Sequence, residues 1–371
     1  MYAAAPLNTE LSDGLLKVQM TGPFQLLKAG ITMTWRADSL LEQLYISSLK
    51  RIEQERLQML PSERKIYLKE TLERLIGSFE PSGKCEATII ERVVCDGYVR
   101  ERVELSAVSG LSFAAYVLIP DGYEQTTIPA VLAVHGHGYG SREIVGLNFD
   151  GTVDENPPGI HQHFALQLVK RGLLVIAPDI VGFGEHLLEA DLTEDGLAPS
   201  SCYKMSTQLL MLGKTLTGLR VMESRLVLDY LASRPEVDAE RLGIMGFSGG
   251  GLISSITAAL DERLKAVVLT GFTSTFKESI IAVDHCICNH IPDILLYAEL
   301  PEWIGLIAPR ALFLESGEHD PIFPKQGFCK VWKTSGRFMK RRMLPINCPQ
   351  TYSLAYMRLA ADIPMIGWRR P

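Results

Sequence analysis

In Arg241-Leu242-Gly243-Ile244-Met245-Gly246-Phe247-Ser248-Gly249-Gly250-Gly251-Leu252-Ile253-Ser254-Ser255-Ile256, a short apolar run meets a glycine-flanked serine, and a run of helical length and composition follows. The first run is short enough for a buried strand, so Ser248 falls where a strand turns sharply into a helix. Such a turn holds the serine in a strained backbone conformation with its hydroxyl exposed. The glycines beside it are needed because side chains there would strike the neighbouring strand and helix. Ser248 is therefore the candidate nucleophile; the plainer alternative is an ordinary serine in a glycine-rich turn.

Moving outward, apolar runs at Ala130–Val134, Leu173–Ala177, Ala266–Thr270 and Ala311–Glu315 have strand length, and helical segments separate them. His161–Lys170 is one such segment. Leu216–Leu231 is another, with Leu216, Leu219, Met222, Leu226 and Tyr230 on one stripe. Continuous apolar strands alternating with helices imply a parallel sheet covered on both faces. Before them, Ala87–Cys95, Val99–Leu105 and Leu111–Ile119 alternate with period two and are divided by Asp96-Gly97 and Ser109-Gly110, as expected of antiparallel strands. Earlier still, Asp38–Leu60 has amphipathic helical spacing. Pro61-Ser62 breaks it, Ser62 is placed to cap a second helix to Leu75 or Ile76, and Gly77 ends that one. This pair reads as an arm packed on the main body, with a lid or a dimer contact as alternatives.

The 371 residues, 47% of them hydrophobic, are enough for one large α/β domain with an appendage. A net charge of -6 argues against nucleic-acid or anionic-membrane partners, and small neutral or weakly charged ligands fit better. The first twenty residues lack the charge and apolar pattern of a secretion signal, and no stretch approaches a membrane span, so a cytoplasmic location is expected. The seven cysteines are odd in number and scattered, which favours free thiols.

Residues with chemistry cluster at strand carboxyl ends, where such sheets open a crevice. His135-Gly136-His137-Gly138 follows one strand, Pro178-Asp179 another, Ser248 the third, and Glu318-His319-Asp320 the last. A serine nucleophile needs a histidine base, and the base needs a carboxylate. Asp320, after a strand and downstream of Ser248, is the candidate acid, although an aspartate before Pro321 can also cap a turn. The backbone N–H groups of Gly249 and His137 are the candidate oxyanion-hole donors.

Taken with Ala177–Glu185, Gly213–Arg220, His285–Asn289 and Ile307–Arg310, these motifs resemble the α/β-hydrolases related to dienelactone hydrolase and acetyl xylan esterase. The resemblance runs from about Ala87 to Gly327. It implies an α/β-hydrolase fold with antiparallel strands leading into a mostly parallel sheet. It also implies a serine esterase, with acetyl esters among the candidate substrates, that works through an acyl-enzyme without metal or organic cofactor. A serine stands where dienelactone hydrolase carries cysteine, which favours an esterase. A peptidase of the same fold and a non-catalytic binding protein are the alternative readings. The corresponding division is a helical extension over 1–84, the hydrolase domain over 85–327 and an atypical tail over 328–371.

The pattern breaks after Asp320. The eight histidines are at 135, 137, 161, 163, 186, 285, 290 and 319, so none follows the acid. From Lys330 onward nine Lys and Arg face a single acid, Asp362, in a chain that is acidic overall. The expectation is a tail replaced by out-of-frame translation, with a genuine divergent basic tail as the competing reading, and hence impaired catalysis. His285, His290 and His319 are the candidates for a substitute base. A metal is not expected: no further Asp-His follows His135/His137, His161/His163 begin a helix on which positions i and i+2 diverge, and Cys286-Ile287-Cys288 beside His285 lacks C-x-x-C spacing.

Overall fold

The computed structural model describes residues 9–12, 15–18, 37–79, 85–108, 111–123, 127–193, 196–197, 199–335 and 354–357. The chain divides into two compact units, 1–50 and 51–371, a boundary that falls inside a helix and ahead of the 84/85 division drawn from sequence. In the first unit β1 (Thr9–Ser12) and β2 (Leu15–Val18) form an antiparallel hairpin. α1 (Asp38–Gln58) follows, with Leu40, Leu41 and Leu44 exposed and Ile52 its buried residue.

The second unit continues with α2 (Pro61–Ile76), β3 (Ala87–Cys95), β4 (Tyr98–Val108), β5 (Leu111–Pro120) and β6 (Ile128–Val134). Next come α3 (Arg142–Val145), α4 (Phe164–Val169), β7 (Leu174–Pro178), the two-residue strands β8 (Leu192–Thr193) and β9 (Gly196–Leu197), α5 (Cys202–Met211) and α6 (Leu216–Ser233). The last elements are β10 (Val237–Phe247), α7 (Gly249–Leu260), β11 (Leu264–Thr270), α8 (Leu300–Gly305), β12 (Ala311–Glu315), α9 (Lys325–Ser335) and β13 (Leu354–Met357).

One sheet has the order β13-β12-β11-β10-β6-β7-β5-β4-β3. The five strands from β12 to β7 run parallel. β5, β4 and β3 continue antiparallel on one side, and β13 pairs antiparallel with β12 on the other. β7 is buried at every residue, which is why its sequence is continuously apolar. Its alternate residues serve two cores: Leu174 and Ile176 pack with α6 and α7, whereas Val175 and Ala177 pack with α3 and α4. Helices thus cover both faces. Leu68, Leu72 and Ile76 of α2 belong to the first of these cores, so this helix is part of the body. Among the described residues no helix is long and apolar enough to cross a membrane.

Three local readings are corrected. α2 begins at Pro61 rather than behind a Ser62 cap: proline takes the first helical position, where no N–H is needed, and Glu63 accepts from the Leu60 N–H at 2.9 Å. α4 starts at Phe164 because Gln162 (φ 52°) and His163 (φ 43°) are left-handed. α9 extends to Ser335 and buries Phe328 and Val331 in the main core, so the core reaches past residue 327. Of the remaining tail, 336–353 and 358–371 lie outside the described residues.

One contact secures the far end of α7. Arg310 donates to the carbonyls of Asp261 (2.8 Å), Leu264 (3.0 Å) and Ala258, and so occupies acceptors that the end of the helix leaves open.

Candidate active site

Ser248 links β10 to α7 at φ 53° and ψ -119°, a region that non-glycine residues avoid. The surrounding structure dictates this conformation. The Ser248 N–H donates to Thr270 O at 2.8 Å, and its carbonyl accepts from the Gly251 N–H at 2.8 Å. A side chain at Gly250 would run into the carbonyls of Val134 and His135, so α7 can approach β6 only with glycine there. The Oγ makes no hydrogen bond among the described residues.

The loop after β6 lies against this elbow. Its first histidine, His135, is buried; its Nδ1–H donates to Gly136 O at 2.7 Å and its Nε2 accepts from the Ile180 N–H at 3.1 Å. Burial pushes its pKa down to about 4, which fixes the neutral ring this pairing requires. His161 anchors the next residue, accepting from the Gly136 N–H at 3.1 Å while its Nδ1–H donates to Glu143 at 2.7 Å. Burial would raise the Glu143 pKa, but the hydrogen bond from His161 outweighs it and holds the carboxylate below its usual range. Glu143 also accepts from the Tyr139 N–H at 3.2 Å. With both flanks tied, the His137 N–H has no acceptor among the described residues. Gly249 opens α7, so its N–H has no partner one turn back. The His137 ring lies 3.1 Å from where a Gly249 side chain would begin. Ser248, Gly249 and His137 are therefore brought together.

Asp320 is not joined to them by a hydrogen bond. Its Oδ1 accepts from the Ile322 N–H (2.8 Å) and the Phe323 N–H (2.9 Å), the turn-capping role that any such aspartate can play. No histidine hydrogen-bonds Asp320 among the described residues. His319 and His290 are exposed. His285 is half-buried, packs edge-on against Phe323 with ring centroids 5.8 Å apart, and has a buried Nδ1 without a hydrogen-bond partner among the described residues.

The structure also assembles a group that pairing donors along the sequence does not reveal. His137, Cys202 at the start of α5, Cys286 and Cys288 each offer one ligand atom, and all four atoms lie within 4.8 Å of one another. Cys288 Sγ is 3.5 Å from His137 Nε2 and 3.1 Å from Cys286 Sγ. Thiol hydrogen bonds from Cys286 and Cys288 drive the Cys202 pKa down. The expectation of no metal-binding set is revised: the donors come from three distant segments. The proximity of Cys286 to Cys288 was the one visible signal.

The α/β-hydrolase family profile of the Abhydrolase family matches residues 61–325, from the first residue of α2 to the first of α9. The chain belongs to the Abhydrolase family. This Abhydrolase chain is 31% identical over 214 residues to "Putative hydrolase YtaP" of Bacillus subtilis (strain 168). The match covers 55% of the chain and 64% of that relative, a little under two thirds of its length. Among solved structures, a "putative acetyl xylan esterase" (BF1801) from Bacteroides fragilis NCTC 9343 superposes with a TM-score of 0.61 at 19% identity, covering 88% of this chain and 82% of the other. A CE15 glucuronoyl esterase from Teredinibacter turnerae T7901 superposes with a TM-score of 0.52 at 16% identity, covering 74% and 71%. At these identities the Abhydrolase chain shares their fold. That fold is the α/β-hydrolase arrangement, with the elbow after a central parallel strand.

Proposed function

We propose that the protein hydrolyses carboxylic esters of small molecules, acetyl esters among them, through an acyl-enzyme on Ser248. The observation that carries this reading is the strained φ of Ser248 at a strand-to-helix turn, directly beside the loop that carries His137. Ser248 Oγ attacks the ester carbonyl and gives up its proton to a base, and the carbonyl oxygen becomes an oxyanion held by the His137 and Gly249 N–H groups. The C–O bond then breaks, the leaving alkoxide takes the proton, and water releases the acid by the same steps in reverse order.

With no histidine after Asp320, His285 is the base we assign. Its unpartnered, buried Nδ1 and its packing on Phe323, whose own N–H bonds to Asp320, support that role. Asp320 Oδ2 is the carboxylate oxygen left to steady it. The test is turnover of p-nitrophenyl acetate by the wild type, Ser248→Ala and His285→Ala, together with phosphonate labelling. Serine-dependent turnover and labelling at Ser248 are expected. Turnover unchanged in Ser248→Ala overturns the reading, and turnover unchanged in His285→Ala removes only the assignment of the base.

A further inference from the structure

We infer that His137, Cys202, Cys286 and Cys288 form a closed Cys3His site for a zinc ion. Tetrahedral zinc, with bonds of about 2.3 Å to sulfur and about 2.0 Å to nitrogen, places its ligand atoms roughly 3.5–3.8 Å apart. Here the sulfur-to-nitrogen pair is already at 3.5 Å, and a bound ion spreads Cys286 and Cys288 from their present 3.1 Å. All four ligand atoms fall inside a 4.8 Å sphere of separations, which four unrelated side chains from three segments have no other evident reason to share.

A second observation concerns charge. Arg220 of α6 is buried, and among the described residues no carboxylate forms an ion pair with it; the neighbouring buried Glu223 is held towards its protonated form. The Arg220 donors go to Val181 O (2.8 and 3.0 Å) and to Cys202 Sγ (3.2 Å). A buried guanidinium without a counter-charge is costly. Three thiolates, a neutral imidazole and a divalent ion sum to one negative charge, which Arg220 balances. Asn289 Nδ2 donates to Cys288 Sγ at 3.3 Å, and N–H donors of this kind commonly surround zinc-bound thiolates.

With four protein ligands no position is open for substrate, so the ion holds structure rather than polarising the ester. It fastens the loop after β6 and the start of α5 to the irregular stretch between β11 and α8, where the described secondary structure is limited to two short 3₁₀ turns at Ile287–Asn289 and Ile294–Leu296. The site stands whether or not the ester reading does.

The test is metal analysis of the full-length protein purified without chelator, followed by cobalt(II) exchange. About one zinc per chain is expected, together with the thiolate-to-cobalt charge transfer and strong visible bands of tetrahedral cobalt. Cys202→Ser and Cys286→Ser should lose the metal, and Cys95→Ser should keep it. Because the cysteine variants could fail to fold, alkylation of the wild type gives a parallel readout. Chelation should increase labelling of Cys202, Cys286 and Cys288 and leave exposed Cys329 unchanged. Reduced protein that takes up neither zinc nor cobalt overturns the inference, as does a disulfide among these three cysteines that persists when zinc is supplied.

Discussion

The Gly136 N–H donates to His161 Nε2 at 3.1 Å, across 25 residues of sequence. The bond fixes the peptide immediately before His137, and Glu143 on the other ring nitrogen fixes the imidazole. His161→Ala should therefore lower kcat on an acetyl ester by about 10- to 100-fold while KM changes little, because a misplaced oxyanion donor costs transition-state binding. Steady-state kinetics alongside a melting curve check this; an equal rise in KM at constant kcat would contradict it.

Asp320 serves a turn in the structure and a base in the proposal, and two substitutions separate these roles. Asn retains an oxygen that can accept from the Ile322 and Phe323 N–H groups, whereas Ala does not. Asp320→Asn should keep its melting temperature yet lose up to about 10⁴-fold in kcat. Asp320→Ala should lose both activity and about 1 kcal/mol of stability. If Asn is fully active, Asp320 is a turn residue alone.

Gly250→Ala tests the packing of the elbow without touching the nucleophile. The added methyl meets the carbonyls of Val134 and His135, both backbone atoms that cannot move aside without shifting β6. Destabilisation of about 1–3 kcal/mol or more is expected in urea unfolding. A neutral result would mean that α7 sits farther from β6 than described.

Glu223 gives a pH dependence. It is buried with neither oxygen hydrogen-bonded among the described residues, and burial pushes its pKa up to about 8, although Arg220 pulls the other way. His186, 3.9 Å away, is itself lowered by burial. Since the folded pKa lies above the unfolded one of about 4.3, the folded state keeps a proton that the unfolded state releases. The stability this gives is fully present below about pH 4, declines as pH rises, and is lost once pH passes about 8. Glu223→Gln should flatten that decline, with little change in melting temperature at pH 5 and a gain of about 3 °C or more at pH 8. Parallel melting curves at the two pH values decide it.

The parallel part of the sheet was legible because its strands lie between covering helices and read as unbroken apolar runs, Leu174–Pro178 being the plainest case, and the antiparallel strands before it by their period-two alternation. The elbow was legible because glycine and serine spacing there reflects steric necessity. Boundaries set by single backbone conformations were not: nothing in the composition of Gln162 or His163 announces a left-handed residue. The Cys3His group was hidden for another reason. His137, Cys202 and Cys286 are separated by scores of residues, and only the return of the chain across several strands brings them together. Pairing His285 with the Asp320 turn likewise depends on the packing of Phe323, which is a property of the folded crevice.

Arg310 gives the nucleophile a distant tether. α7 is 12 residues long, so its clamped end lies about 18 Å from Gly249. A rigid rod transmits displacement along its axis with little loss. The aim of the oxyanion donor is thus registered from the opposite end of its helix, and a change at Arg310 would be felt as a shift in where negative charge can settle beside Ser248.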